Sequence, residues 1–239
     1  MMFAVTEDDP AIEVSRVDLR RPDTAVPAYV ARPRDARANT PGVVVAMHIW
    51  GVDANIREVV RRFAKAGFAA IAPDLYARLN APSGDNETDL TAFRPFSERL
   101  PNAQVDGDLR AAALWHRSAH PQGKTGVNGF CMGGAIALRA AIDNDDVFAA
   151  CGVWYGKVSG VDATRIRMPI VGSYGEKDTS IPPESVRAFR SMLRAPNDIV
   201  IYPTSGHAFC DSTRASYVPV AAEDAWRRTV AFFAKYLKP

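Results

Sequence analysis

Three residues of this chain have types that together support acyl transfer, and each follows its own apolar, strand-like run: Cys131, Asp178 and His207. Cys131 stands in Gly129-Phe130-Cys131-Met132-Gly133-Gly134, where a β-type run from Thr125 to Phe130 stops and a helical run of small residues starts. That is the pattern of a nucleophile elbow, in which the central side chain sits on a strained turn. Small residues two before and two after it let strand and helix approach closely. Serine is the usual central residue, and cysteine serves the same role. A helix N-terminus behind the sulfur favours the thiolate, and the Met132 backbone N–H is the expected oxyanion donor. Taken alone, the motif also fits a buried structural cysteine beside a packing glycine pair.

Two further strand ends extend the pattern. The run ending in Ser173-Tyr174 leads into Gly175-Glu176-Lys177-Asp178, and the run ending in Tyr202-Pro203 leads into Ser205-Gly206-His207-Ala208-Phe209. The order Cys, Asp, His is that of an α/β-hydrolase triad. His207 would take the thiol proton and return it to the leaving group, and Asp178 would hold the imidazole tautomer. Singly, a loop His is more often a surface residue and a loop Asp more often a turn or cap. In this order, each after its own strand, they form a candidate triad. The second oxyanion donor of such sites comes from the loop after an earlier strand. That loop is Met47-His48-Ile49-Trp50-Gly51, with the Ile49 N–H as candidate donor; a plain strand-to-helix turn is the alternative.

The elements that must position these residues follow from apolar periodicity. Ile12 to Leu19 and Val26 to Val30 alternate loosely about the polar turn Arg21 to Thr24, which predicts an N-terminal antiparallel hairpin. Continuous apolar runs then recur at Gly42 to Met47, Ala69 to Pro73, Thr125 to Phe130, Ala149 to Tyr155, Ile170 to Tyr174 and Ile199 to Tyr202. Between them lie helical patterns, at Ile56 to Phe63, Leu109 to Trp115, Met132 to Ile142, Pro183 to Leu193 and Ala221 to Leu237. Strands apolar on both faces, alternating with helices, predict an α/β-hydrolase fold: a mostly parallel central sheet with helices on both faces. Ligand sites in such sheets lie beyond the carboxyl ends of the strands. The polar, Pro-containing stretch Ala81 to Glu98 is expected to be either an ordered helix or a lid.

The chain has 239 residues, 47% hydrophobic and 23% charged, with no linker-like shift in composition, so one domain over 1–239 is expected. The net charge is +2 with acids and bases interleaved. Nucleic acid and anionic membranes are therefore not expected as partners and small molecules are, the protein acting as a monomer or small homo-oligomer. No secretory signal or membrane-length apolar stretch is visible. Three widely spaced cysteines suit a reducing cytoplasm, and the four histidines show no metal-ligand spacing, so neither metal nor cofactor is expected.

These residues resemble the dienelactone hydrolase (carboxymethylenebutenolidase) family over nearly the whole chain. The resemblance is carried by the Cys elbow with its Gly-Gly, by Ala72-Pro73-Asp74-Leu75-Tyr76-Ala77-Arg78, by Gly206-His207-Ala208-Phe209, and by Asp211-Ser212-Thr213-Arg214-Ala215-Ser216-Tyr217. It implies hydrolysis of an enol-lactone such as dienelactone to maleylacetate, in bacterial breakdown of chlorinated aromatics. It also implies that Arg78 binds a substrate carboxylate, as a guanidinium suits. Two positions depart from the family. His48 stands where a Glu interacts with the resting thiol, and is expected to lie close enough to Cys131 to share its proton. Asp211 replaces a second carboxylate-binding Arg, with Arg214 expected to compensate. Trp50, with Tyr76, Tyr155 and Phe209, is expected near the pocket mouth. A carboxylesterase or thioesterase on the same scaffold is the nearest rival. A nucleotide-binding domain lacks its glycine-rich turn, since Met47 to Asn55 holds only Gly51. A non-catalytic module would leave the ordered triad a coincidence.

Overall fold

The computed structural model describes residues 4–85 and 89–238. Its centre is an eight-stranded sheet in the order β1-β2-β4-β3-β5-β6-β7-β8. The strands are β1 (Ile12–Arg20), β2 (Ala25–Pro33), β3 (Gly42–Ala46), β4 (Ala69–Pro73), β5 (Thr125–Phe130), β6 (Ala150–Trp154), β7 (Ile170–Gly175) and β8 (Asn197–Tyr202). The expected hairpin forms as β1 and β2, closed where the Arg21 N–H donates to the Thr24 carbonyl (2.9 Å). β2 then pairs antiparallel with β4, and every pairing from β4 through β8 is parallel. Strands β3 to β7 are buried at every residue, as expected of parallel strands covered on both faces.

Six helices cover the sheet: α1 (Ala54–Lys65), α2 (Leu90–Ser97), α3 (Asn102–Ala119), α4 (Met132–Asp143), α5 (Pro183–Met192) and α6 (Pro219–Leu237). Neighbouring residues of β5 show which helices take which face. The Thr125 hydroxyl meets His116 Nδ1 of α3 at 2.9 Å, whereas a Cβ on Gly126 would press on Leu237 and Phe233 of α6. Successive strand residues point to opposite faces, so α3 and α6 lie on opposite sides of the sheet. α1 joins α6 through Phe63, whose ring is 4.7 Å from Trp226 and 6.0 Å from Phe233. α4 joins α3 through Arg139, whose Nε donates to Asp106 (2.9 Å).

Within the stretch Ala81 to Glu98, Leu90–Ser97 is the helix α2; residues 86–88 lie outside the described residues. Asp89 caps α2 by accepting from the Thr91 N–H (2.8 Å), and Phe93 fastens it with its ring 6.4 Å from that of Tyr76. Among the described residues no helix is long and apolar enough to cross a membrane.

Candidate active site

Cys131 has φ 54° and ψ −116°. A residue with a side chain holds such a left-handed conformation only where its surroundings impose it. Here its N–H donates to the Trp154 carbonyl (3.0 Å) and its carbonyl accepts from the Gly134 N–H (3.0 Å). The glycines of the elbow are needed for close approach. A Cβ on Gly129 would overlap the Gly133 carbonyl, and one on Gly133 would overlap the Ala46 carbonyl of β3. The sulfur is thereby carried to the N-terminus of α4, whose first N–H groups have no intrahelical acceptor.

From that sulfur a chain of contacts runs across three strand ends. Cys131 Sγ lies 3.1 Å from His207 Nε2, and His207 Nδ1 lies 2.7 Å from Asp178 Oδ2. The other oxygen of Asp178 accepts from the N–H groups of Ser180 (2.9 Å) and Ile181 (3.1 Å), so the buried carboxylate cannot rotate away. Burial opposes a charge on His207, but its hydrogen bonds to Asp178 and Cys131 outweigh it and raise its pKa to about 10. Tyr155, at the end of β6 with φ 38°, sets its ring 5.0 Å from that of His207 and its hydroxyl 2.9 Å from Cys210 Sγ.

The three cysteines are all free thiols. Cys151 is buried within β6, where desolvation pushes its thiol up, and burial likewise pushes Cys210 up to about 12. Cys131 alone of the three lines the cavity of about 520 Å³ that opens between the α2–α3 segment and the strand ends. His207, Ile49 and Met132 line it too. A second cavity, of about 450 Å³, is lined by Cys210, Trp154 and Trp226 and contains none of Cys131, Asp178 and His207. Among the described residues no group of three or more His, Cys, Asp or Glu side chains is arranged to hold a metal ion.

The loop after β3 is held from two sides. Tyr76 donates its hydroxyl to the Ile49 carbonyl (2.8 Å), with its oxygen 4.0 Å from Met132 Sδ. His48 Nδ1 accepts from the Trp50 N–H (3.2 Å), and His48 Nε2 lies 3.1 Å from Asp53 Oδ1, which also caps α1 by accepting from the Ile56 N–H (3.0 Å). Nδ1 of His48 is thus engaged by the Trp50 N–H and Nε2 faces Asp53, whereas the thiol's contact is with His207. This corrects the expectation that His48 shares the proton of Cys131; its place is to tie the loop to the start of α1.

The residues expected to bind a substrate anion are placed elsewhere. Arg78 donates from Nε to Asp23 (2.6 Å) and from Nη1 to Asp108 (2.8 Å), and Asp108 also receives Arg21 Nε (2.9 Å). Those hydrogen bonds, to Asp23 first and Asp108 next, raise the pKa of the guanidinium further, and Arg78 does not line the cavity. Arg214 lies 3.8 Å over the Trp50 ring and pairs with Asp211 (3.3 Å), while Asp211 also accepts from Asn55 Nδ2 (3.1 Å) and from the Thr213 N–H (3.0 Å). Neither Arg214 nor Trp50 lines the cavity, and of the aromatic side chains expected at its mouth only Tyr155 does. Sequence reasoning gave Tyr76 and Tyr155 no individual role, passed over Asp53, and read Ala81 to Glu98 as a helix or lid without giving Leu90 a place in a cavity wall. Only Tyr76 carried a signal, its place in Asp74-Leu75-Tyr76.

The model of the family described as "Dienelactone hydrolase family" matches residues 26–237. A Salmonella typhimurium protein named "Putative carboxymethylenebutenolidase" is 38% identical over 243 residues, 95% of this chain and 89% of that protein. An Escherichia coli K12 protein of the same name is 38% identical over 247 residues, 97% of this chain and 90% of its own. Among solved structures, "Crystal Structure of Putative Dienelactone Hydrolase from Klebsiella pneumoniae subsp. pneumoniae MGH 78578" superposes with a TM-score of 0.87 at 36% identity, over 95% of this chain and all of that one.

Proposed function

This chain belongs to the dienelactone hydrolase family, and on that premise we propose that it cleaves a carboxylic ester or lactone through a Cys131–His207–Asp178 triad, as one domain and without a metal or cofactor. The observation that carries the reading is the uninterrupted run of contacts, 3.1 Å from sulfur to imidazole and 2.7 Å from imidazole to carboxylate, ending in the floor of a cavity.

His207 Nε2, 3.1 Å from the sulfur, stands where it can take the thiol proton and leave a thiolate. The thiolate adds to the ester carbonyl, and the oxygen that gains the charge takes hydrogen bonds from the N–H groups of Met132 and Ile49. As the tetrahedral adduct collapses, the C–O bond to the leaving group breaks and His207 Nε2 hands it a proton. A thioester to Cys131 remains and His207 is neutral. It then takes a proton from water as the hydroxide adds to the thioester, and collapse expels the thiolate, releasing the acid and restoring the pair. Asp178 keeps Nδ1 protonated throughout.

The relatives' names point to dienelactone as the substrate, giving maleylacetate, a step in the breakdown of chlorinated aromatics. A carboxylesterase or thioesterase activity on another small substrate is the second reading, and the ion-paired state of Arg78 favours it. The test is to assay wild type and Cys131→Ala on cis- and trans-dienelactone and on 4-nitrophenyl acetate. Lactone turnover lost in the variant supports the first reading, ester turnover alone the second, and equal activity in the variant removes Cys131 as nucleophile.

A further inference from the structure

The side chains that surround the reacting sulfur describe the substrate. On one side the cavity is walled by Leu90 of α2, Leu100, Val105 of α3 and Ile136 of α4. Val105 and Ile136 are 2% and 6% exposed and form its depth, whereas Leu90 is 43% exposed at its mouth. A large aliphatic side chain left in solvent beside an apolar hollow extends that surface outward, where a bound apolar group would cover it. α2 is fastened in this place by Phe93, which packs on the tyrosine that holds the Ile49 loop. The wall is thus joined to the reacting centre.

Charge in the cavity is balanced or dilute. Arg139 lines it, but it is ion-paired with Asp106, its Nε donating to Oδ1 (2.9 Å) and its Nη2 2.9 Å from the same oxygen without a hydrogen bond. Lys157 and Glu98 also line it; both are exposed, opposite in sign, and screened by water. A carboxylate brought against the aliphatic wall would lose hydration with no buried cation to replace it. Resting on the hydrolase reading above in its second, carboxylesterase form, we propose that this cavity selects an uncharged carboxylic ester whose aliphatic or aromatic group seats on Leu90, Leu100, Val105 and Ile136. An ester carrying a carboxylate at that place is rejected.

The test compares two esters matched in size, 4-nitrophenyl pentanoate and mono-4-nitrophenyl glutarate, on the full-length protein. We expect kcat/KM at least tenfold higher for the pentanoate. Leu90→Asp should reduce the pentanoate-to-acetate ratio about fivefold or more, and Lys157→Met should leave the pentanoate preference in place. Equal or better use of the glutarate ester, lost in Lys157→Met, would overturn the inference and make Lys157 the anion site. If neither ester nor cis- or trans-dienelactone is turned over, the hydrolase reading fails by itself. Calorimetric binding of both esters to Cys131→Ala then still decides selectivity, tighter binding of the pentanoate supporting it and equal or tighter binding of the glutarate ester overturning it.

Discussion

Two charged constellations lie near the carboxyl-end side of this sheet, and they differ in whether their hydrogen-bonding capacity is closed. In the cluster of Arg78, Arg21, Asp23 and Asp108, each guanidinium meets a carboxylate within the protein, and Asp108 is 1% exposed. In the relay of Asp178, His207 and Cys131 the chain of partners ends on a half-exposed sulfur facing a cavity. A charge satisfied by its own chain holds elements together; a charge left at the end of a relay is available to a substrate. Residue type does not separate the two, since both are built from the side chains that elsewhere bind or cleave esters.

The largest expected effect lies at the open end. Cys131→Ala should lower kcat/KM on the preferred ester by roughly 10³-fold or more, as for loss of a nucleophile in other triads. Far-ultraviolet circular dichroism should stay unchanged, and a loss under tenfold would erase the distinction between the two clusters. At the closed cluster, Arg78→Met should act on folding. Removing two hydrogen bonds to the buried Asp108 should cost about 2–3 kcal/mol in urea unfolding. A rise in KM confined to anionic esters, with stability intact, would show instead that Arg78 leaves its partners for substrate.

Two histidines sharpen the comparison by titrating in opposite senses. His116 is fully buried between Thr40 and Thr125, and desolvation lowers its pKa to about 4. The unfolded chain, with a His pKa near 6.5, binds this proton more readily, so the contribution is complete above about pH 6.5 and is lost as pH falls toward 4. At pH 5 the loss is on the order of 2 kcal/mol. His207, raised to about 10, contributes fully below about pH 6.5 and loses that contribution as pH rises through 10. Urea midpoints against pH in wild type and His116→Gln should show the acid-side slope diminished in the variant; parallel curves would place that slope elsewhere. The smallest effect is expected at His48. His48→Ala should lower kcat about tenfold by loosening the Ile49 loop, while the thiolate ultraviolet titration of Cys131 stays as in wild type. A shifted titration would restore the proton-sharing role that its contacts with Trp50 and Asp53 argue against.

The legible part of the molecule was the part written locally. The elbow needs small residues where strand and helix nearly touch, and Gly129 and Gly133 declare it in sequence. Strand runs from Gly42 to Tyr174 were readable because burial on both faces demands continuous apolar residues. α2 was ambiguous because Pro95 lies inside it and only Phe93 among its side chains is buried, too little periodicity to register. The partners of Arg78 and Arg214 were not legible for another reason. A guanidinium seen in sequence has no partner, and its role is set by whichever carboxylate or ring the fold brings to it, here Asp23 and Asp108 for one and Trp50 and Asp211 for the other.

The sequence by itself determined the α/β architecture, the placing of Cys131, Asp178 and His207 each after its own strand, and the loop beside them, because each rests on hydrophobic periodicity or on a turn that few residue types can make. Only the tertiary structure decided which carboxylate each arginine meets, how β2 reaches β4 to extend the sheet, and that Leu90, Leu100 and Val105 wall the cavity. Those outcomes depend on contacts between residues far apart in the chain, and the pairing of distant charges and apolar faces is fixed by packing rather than by any local pattern.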